Sequence, residues 1–156
     1  MRVGLNDNLI SSMVEHARKD YPRECVGAII GDGKSVENSR LIRFSNIQDR
    51  LHKDDPSHFD RDARTGYFVD PREVFEFNRN LEKEKLRIIG FYHSHPDHKA
   101  YFSQEDFNGA VMWGEPLYPG AVYIVISVFD RAVREAKVFA WNGSTYAEFE
   151  DIKLLD

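Results

Sequence analysis

The residues best suited to chemistry cluster in one stretch of this chain. His93 and His95 stand two apart, Pro96 follows at once, and Ser103 and Asp106 complete the order His-x-His-Pro-x6-Ser-x2-Asp. Just upstream, Arg87 to Tyr92 is mostly apolar between polar flanks, a pattern that predicts a buried strand. Residues two apart on a strand project from the same face, so both imidazoles are presented together. Pro96 lacks a backbone donor and stops the strand. Two neutral imidazoles, the Asp106 carboxylate and room for a water make the donor set of a catalytic zinc site with an open fourth position. The same residues also have plainer uses. A lone His-x-His pair is a common accident, and Ser103-x-x-Asp106 reads as a helix capping box. Chance is a poor account of the complete string.

With Glu24 lying well upstream, the string resembles the motif of the JAMM (MPN-plus) zinc metalloproteases: a Glu, then His-x-His-Pro, then Ser-x-x-Asp, with no departure in spacing. The resemblance covers essentially the whole chain and implies one JAMM/MPN domain over residues 1–156, a cytidine-deaminase-like α/β/α sandwich. It implies zinc held by His93, His95 and Asp106, Glu24 as general base, and Ser103 as hydrogen-bond donor to the developing oxyanion. The implied reaction is hydrolysis of a peptide or isopeptide bond at the C-terminus of a ubiquitin-like protein. Asp54-Asp55-Pro56-Ser57-His58-Phe59, with Asp70-Pro71 beyond it, is similar to a pattern in bacterial members that process ThiS/MoaD-like sulfur carriers. A sulfur-carrier protein is therefore the favoured substrate, and a deubiquitinase-like or archaeal modifier-removing isopeptidase is the runner-up. Two other classes stay open: a non-catalytic MPN-type partner-binding module, and a hydrolase using Cys25 as nucleophile with His93.

The elements that must position these groups follow from apolar spacing. Leu5, Leu9, Ile10, Met13, Val14 and Ala17 recur at helical intervals, with Asn6 or Asp7 to cap the start and Pro22 to close the helix. Glu24 to Gly31 is a short strand that opens on an acid, which at such a place is either solvated or employed. Cys25 points to the opposite face from Glu24, where a small buried hydrophobe is its default role. Asp32-Gly33 signals a hairpin turn into a second strand from Val36 to Phe44, with Val36, Ile42 and Phe44 on one face. Ser45 to Val69 is long, polar and poor in apolar residues, which predicts a functional loop or mobile lid, with His52 and His58 at the surface.

Asp70-Pro71-Arg72-Glu73 reads as a helix start: Asp as N-cap, Pro first, Glu closing the box, with Val74, Phe77 and Leu81 as the buried stripe. Ser94, between the two histidines, faces away from them and suits packing or hydrogen bonding. A helix from Gln104 to about Trp113 buries Phe107, Ala110 and Val111. Ala121 to Val128 is apolar almost without interruption, as in a strand covered on both faces. Asp130-Arg131 turns the chain, and strands over Ala132–Trp141 and Thr145–Phe149 are joined at Asn142-Gly143. The fold class is α/β, a mixed sheet flanked by helices on both faces.

Composition sets the outer bounds. A chain of 156 residues fits one domain and buries about two-thirds of its unfolded surface. With 42% hydrophobic and 30% charged residues it is globular in type, and its net charge of −5, with no Lys/Arg cluster, argues against a nucleic-acid partner. One cysteine makes no internal disulfide, which points to a reducing cytoplasm. The start, Met1 to Asp7, lacks a signal-peptide apolar core, and no segment has the length to span a membrane. Oligomeric state is left open.

Overall fold

Short apolar runs bounded by turn residues become the strands of a six-stranded sheet in the computed structural model, which describes residues 5–152. The strands are β1 (Val26–Gly31), β2 (Arg40–Phe44), β3 (Arg87–Pro96), β6 (Val122–Phe129), β7 (Ala132–Trp141) and β8 (Tyr146–Asp151). β4 (Val111–Met112) and β5 (Glu115–Pro116) form a separate hairpin. The spatial order is β2-β1-β3-β6-β7-β8. Only β3 and β6 run parallel; every other neighbouring pair is antiparallel. A parallel pair needs a long crossover, and here the crossover carries helix α4 (Gln104–Ala110) and the small hairpin.

Helices cover both faces, as expected. On one face α1 (Asp7–Asp20) lays Leu9, Met13 and Ala17 over Ile29, Tyr92, Ile124 and Ile126. Asn6 is its cap, accepting the Leu9 amide at 2.9 Å, and Pro22 follows closely on its end. On the other face α3 (Pro71–Glu84) packs Phe77 and Leu81 against Val26, Ala28, Ile30 and Phe44. The rings of Phe44 and Phe77 meet edge to face at 5.0 Å. Beside them Tyr123, Val125, Phe139 and Tyr146 make an aromatic-rich cluster with Ala110 of α4. Coverage on both sides explains why β1 is buried throughout and β6 from Val122 to Val128.

Four expectations are corrected. Val36 is not in a strand; Val36–Asn38 is a turn of 3-10 helix and β2 begins at Arg40. The Asp32 carboxylate takes the amides of Lys34 and Ser35 and the side chain of Asn38, and this local bonding wins over extension. The cap of α3 is Asp70, with Pro71 first in the helix, but Glu73 reaches away to accept the Ser45 amide at 2.8 Å instead of closing a box. The helix after Ser103 stops at Ala110 rather than near Trp113: Trp113 and Gly114 both take positive φ, 56° and 77°, and turn β4 into β5. Ser45 to Val69 is no open lid. It contains helix α2 (Gln48–Asp54), and it buries Gln48 and Ala63 completely or nearly so.

Among the described residues no helix is long and apolar enough to cross a membrane. Met1 to Gly4, at the start read above for a signal sequence, lie outside the described residues.

The tightest backbone approach beneath the site is at Gly90. A Cβ there would stand 2.8 Å from the Val122 carbonyl oxygen of β6, an atom fixed by the parallel ladder. Gly90→Ala should therefore cost about 1–3 kcal/mol, the usual range for overpacking. Gly109→Ala in α4 meets nothing within 4 Å and should be neutral or gain up to about 1 kcal/mol. Denaturant midpoints of the two variants check this; equal losses in both would remove the close-approach argument.

Candidate metal centre

Three elements bring four side chains into one buried pocket. β3 runs on through Pro96, so His93 and His95 leave the same face of an inner strand. Glu24 sits just before β1, which pairs with β3 so that Val26 lies opposite His93. Asp106 comes from the first turn of α4. All four are buried.

The distances converge on one point. The Nε2 atoms of His93 and His95 are 3.2 Å apart. His93 Nε2 lies 3.1 Å from Asp106 Oδ1, and His95 Nε2 lies 3.4 Å from Asp106 Oδ2. Two ligands about 2.0–2.1 Å from a tetrahedral zinc stand about 3.3 Å from each other, so this donor spacing fits that ion. Glu24 Oε1 is farther out, 4.0 Å from His95 Nε2. Single ligand atoms of Glu24, His93 and His95 also lie within 4.8 Å of one another, so Glu24 could replace Asp106 on distance alone. The shorter contacts favour Asp106.

Protonation strengthens the fit. Among the described residues His95 Nδ1 has one partner, the Lys99 carbonyl oxygen at 3.0 Å. A carbonyl only accepts, so Nδ1 is the donor in that bond and the other ring nitrogen, Nε2, is turned away from the loop. Nε2 faces carboxylate oxygens of Asp106 and Glu24, an arrangement that favours a cation between them.

Burial, with the charge of Asp106 adding to it and Arg61 opposing, pushes the Glu24 carboxyl up to about 9. Burial acts in the same direction on Asp106, but the charge of His93, hydrogen bonds from His93 and His95, and the Ser103 amide outweigh it. They hold the Asp106 carboxyl well below the usual range.

Ser103 and Asp106 form a complete capping box, so the plainer reading of this pair is also correct. Ser103 Oγ accepts the Asp106 amide at 3.0 Å, and Asp106 Oδ2 accepts the Ser103 amide at 2.9 Å. The box orients the carboxylate toward the imidazoles. An oxygen that accepts still has its own proton to give, so capping leaves Ser103 a free donor in the groove it lines with Glu24, His95 and Asp106. Ser94 faces the other way, as expected, and Ser94 Oγ accepts the Cys25 amide at 2.8 Å.

Cys25 does not reach the site. It is fully buried in the cluster under α1, and burial pushes its thiol up to about 12 despite a hydrogen bond with Ser94. His52 and His58 are also remote: His52 Nδ1 bonds the Phe59 carbonyl at 2.7 Å, and His58 pairs with Asp55 at the surface.

Several supporting residues carry no sequence signal. Asn46 donates to the carbonyls of Glu24 and Gly66, at 2.8 and 3.1 Å, and accepts the amides of Gln48 and Phe68. The Glu24 amide in turn donates to the Ala63 carbonyl at 2.6 Å. The segment read as a functional loop or mobile lid thus grips the Glu24 backbone from both sides. Tyr67 packs on His93 with ring centroids 5.1 Å apart, and Tyr101 stands edge-on to His95 at 5.0 Å. Arg61 of this segment pairs with Glu105 of α4 at 2.7 Å. The Asp54-to-Phe59 pattern and the segment's length were the hints that it matters.

Comparison with known proteins gives the same family by an independent route. The family model described as prokaryotic homologs of the JAB domain matches residues 6–142. The chain is 26% identical over 142 residues to the desampylase of Haloferax volcanii, spanning 91% of this chain and 86% of that protein. It is 28% identical over 132 residues to the CysO-cysteine peptidase of Mycobacterium tuberculosis, spanning 85% and 77%. A probable TtuB-protein conjugate cleaving protease of Thermus thermophilus is 31% identical over 108 residues, spanning 69% and 62%. In fold, a solution structure of a protein from Desulfitobacterium hafniense matches with a TM-score of 0.65 at 24% identity, covering 94% of this chain and 88% of that one. The chain belongs to the prokaryotic homologs of the JAB domain, a family of JAMM-type hydrolases.

Proposed function

We propose that this chain is a zinc-dependent metallopeptidase of the cytoplasm that hydrolyses a peptide or isopeptide bond at the C-terminus of a ubiquitin-like protein, with a sulfur carrier as the favoured substrate. Residues 1–156 act as a single JAMM domain in this reading. The observation that carries it is the convergence of His93, His95 and Asp106 at 3.1–3.4 Å, with Glu24 just outside them. The named activities of the relatives support the substrate class: a desampylase, a CysO-cysteine peptidase and a probable conjugate-cleaving protease. The desampylase likeness keeps a modifier-removing isopeptidase as the second reading.

His93, His95 and Asp106 would hold zinc through two imidazole nitrogens and a carboxylate. When bound, zinc supplies Lewis acidity and makes a water nucleophilic near neutral pH. Glu24, beside the pocket but outside the three donors, takes a proton from the attacking water and returns it to the leaving amine. Transfer of this kind contributes about 10²–10⁴-fold. Ser103 donates a hydrogen bond from its hydroxyl to the carbonyl oxygen of the scissile bond as that oxygen gains charge. Loss of one such donor costs about 10²–10³ in rate.

Purified protein should carry about one zinc per chain, and His95→Ala should lose it. Elemental analysis of both proteins decides the matter, since equal metal content would unseat the assignment. Glu24→Gln should keep zinc and substrate affinity while kcat falls about 10²-fold or more. Zinc stoichiometry and single-turnover rate on a sulfur carrier with a C-terminal extension, followed by intact mass, separate the roles. Zinc lost with activity would make Glu24 a ligand, and an unchanged rate would leave the mechanism without its base. Cys25→Ala should turn over as wild type does, and the native thiol should resist an alkylating reagent that labels the unfolded chain at once. Inactivation by alkylation with zinc retained would favour the cysteine reading.

A further inference from the structure

The turn from Asp97 to Phe102 leaves β3 directly below the candidate metal centre and belongs to no helix or strand. Irregular backbone next to a buried site needs side-chain partners to hold it. Two of its backbone groups find theirs on neighbouring strands. Ser127 is a buried polar residue in the otherwise apolar run of β6, and its hydroxyl donates to the His98 carbonyl. Glu135 of β7 is the register partner of Ser127, and its carboxylate accepts the Ala100 amide at 3.0 Å. These two contacts sit on either side of Lys99. The Lys99 carbonyl is the acceptor of His95 Nδ1–H at 3.0 Å, and it also takes the Tyr101 amide at 3.1 Å.

From this chain of contacts we propose that Glu135 and Ser127 are positioning residues for His95. By gripping the backbone on both sides of Lys99, they aim its carbonyl at Nδ1 and so hold the Nδ1–H bond that turns Nε2 toward Asp106. The bond to Ala100 is charge-assisted, and a carboxylate accepting an amide is stronger than a neutral pair. Among the described residues no ion pair competes for Glu135. Second partners that set imidazole orientation are commonly worth about 10–100-fold in metal affinity. The link to zinc rests on the function proposed above, but the tautomer itself is a property of the metal-free chain.

The test uses the full chain as wild type, Glu135→Leu, Glu135→Gln and Ser127→Ala. Nitrogen-15 NMR of histidine-labelled, metal-free protein reads the His95 tautomer, and chelator competition reads zinc affinity. Wild type should show Nδ1 protonated. Glu135→Leu should give a mixture of tautomers and bind zinc about 10–100-fold more weakly, whereas Glu135→Gln, which keeps an acceptor oxygen, should stay near wild type. Ser127→Ala should move in the direction of Glu135→Leu, and it serves in its place if the leucine variant does not fold. A wild-type tautomer in both Glu135→Leu and Ser127→Ala would overturn the proposal. So would a Glu135→Gln variant as disturbed as Glu135→Leu. If the tautomer shifts as expected but no variant, nor wild type, binds zinc, the positioning stands and the zinc reading falls.

Discussion

Two carboxylates, Glu24 and Asp106, are buried in one pocket with two imidazoles, and the surrounding structure answers the cost of placing them there. Taking a carboxylate out of water is expensive, and two such groups of like charge raise the cost. The chain meets part of it for Asp106 with the Ser103 amide and both imidazoles. Glu24 receives no such help from its own side chain, and burial lifts its carboxyl to about 9. A divalent cation at the meeting point of the donors would reverse that pressure, because opposite charge favours the ionised form. Two carboxylates and a divalent ion also balance formally.

Strand alternation is what lets one strand serve both the core and the pocket. On β3, Tyr92 and Ser94 turn to the α1 side, and His93 and His95 turn to the other. The α1 side is fastened by its own polar contacts. Tyr92 meets His16 at 2.7 Å, His16 pairs with Asp20 at 3.2 Å, and Ser94 and Cys25 exchange backbone and side-chain bonds. Gly27 clears space for the Tyr92 ring, since a Cβ there would stand 2.4 Å from it. These contacts keep β3 from sliding against β1. A slip of one residue would exchange the faces and take both imidazoles out of the pocket.

What was legible in the sequence was whatever depends on residue type and spacing. The histidine pair, the Ser-x-x-Asp box, the caps at Asn6 and Asp70 and the apolar run of β6 all follow from periodicity or local chemistry. What was not legible depends on long-range polar contacts to backbone. Helix α2 has no apolar stripe to announce it, and its segment is organised by Asn46, whose amide serves four backbone groups at once. Glu135 looks like an ordinary exposed-strand acid until Ala100, 35 residues earlier, comes to meet it. Val36 misled because a β-branched residue after Asp-Gly suggests a strand, whereas Asp32 ties up the amides that a ladder would need. The helix after Ser103 ended early because Val111 already belongs to the hairpin that Trp113 and Gly114 close.

The two irregular segments beside the pocket share one design. Regular strands satisfy their own backbone groups, but they present side chains only at fixed intervals. Glu24 and His95 both need an approach that the sheet alone does not provide, so each is served by a loop. Asn46 and the Ala63 carbonyl hold the backbone at Glu24, and the Lys99 carbonyl holds the imidazole of His95. Each loop is in turn fixed by a carboxylate: Asp49 of α2, in the same segment, takes the Ala63 amide at 2.7 Å, and Glu135 of β7 takes the Ala100 amide at 3.0 Å. In both cases a carboxylate bonded to a main-chain amide lies one step behind the group that would do chemistry. Such bonds are strong and directional, and they do not add titrating groups to the pocket itself. Between the loops the Arg61–Glu105 pair is exposed on both sides, and ion pairs of that kind are worth about 0–1 kcal/mol. The walls of the groove are therefore held by part-buried bonds to main-chain amides, and the Arg61–Glu105 pair adds little between them.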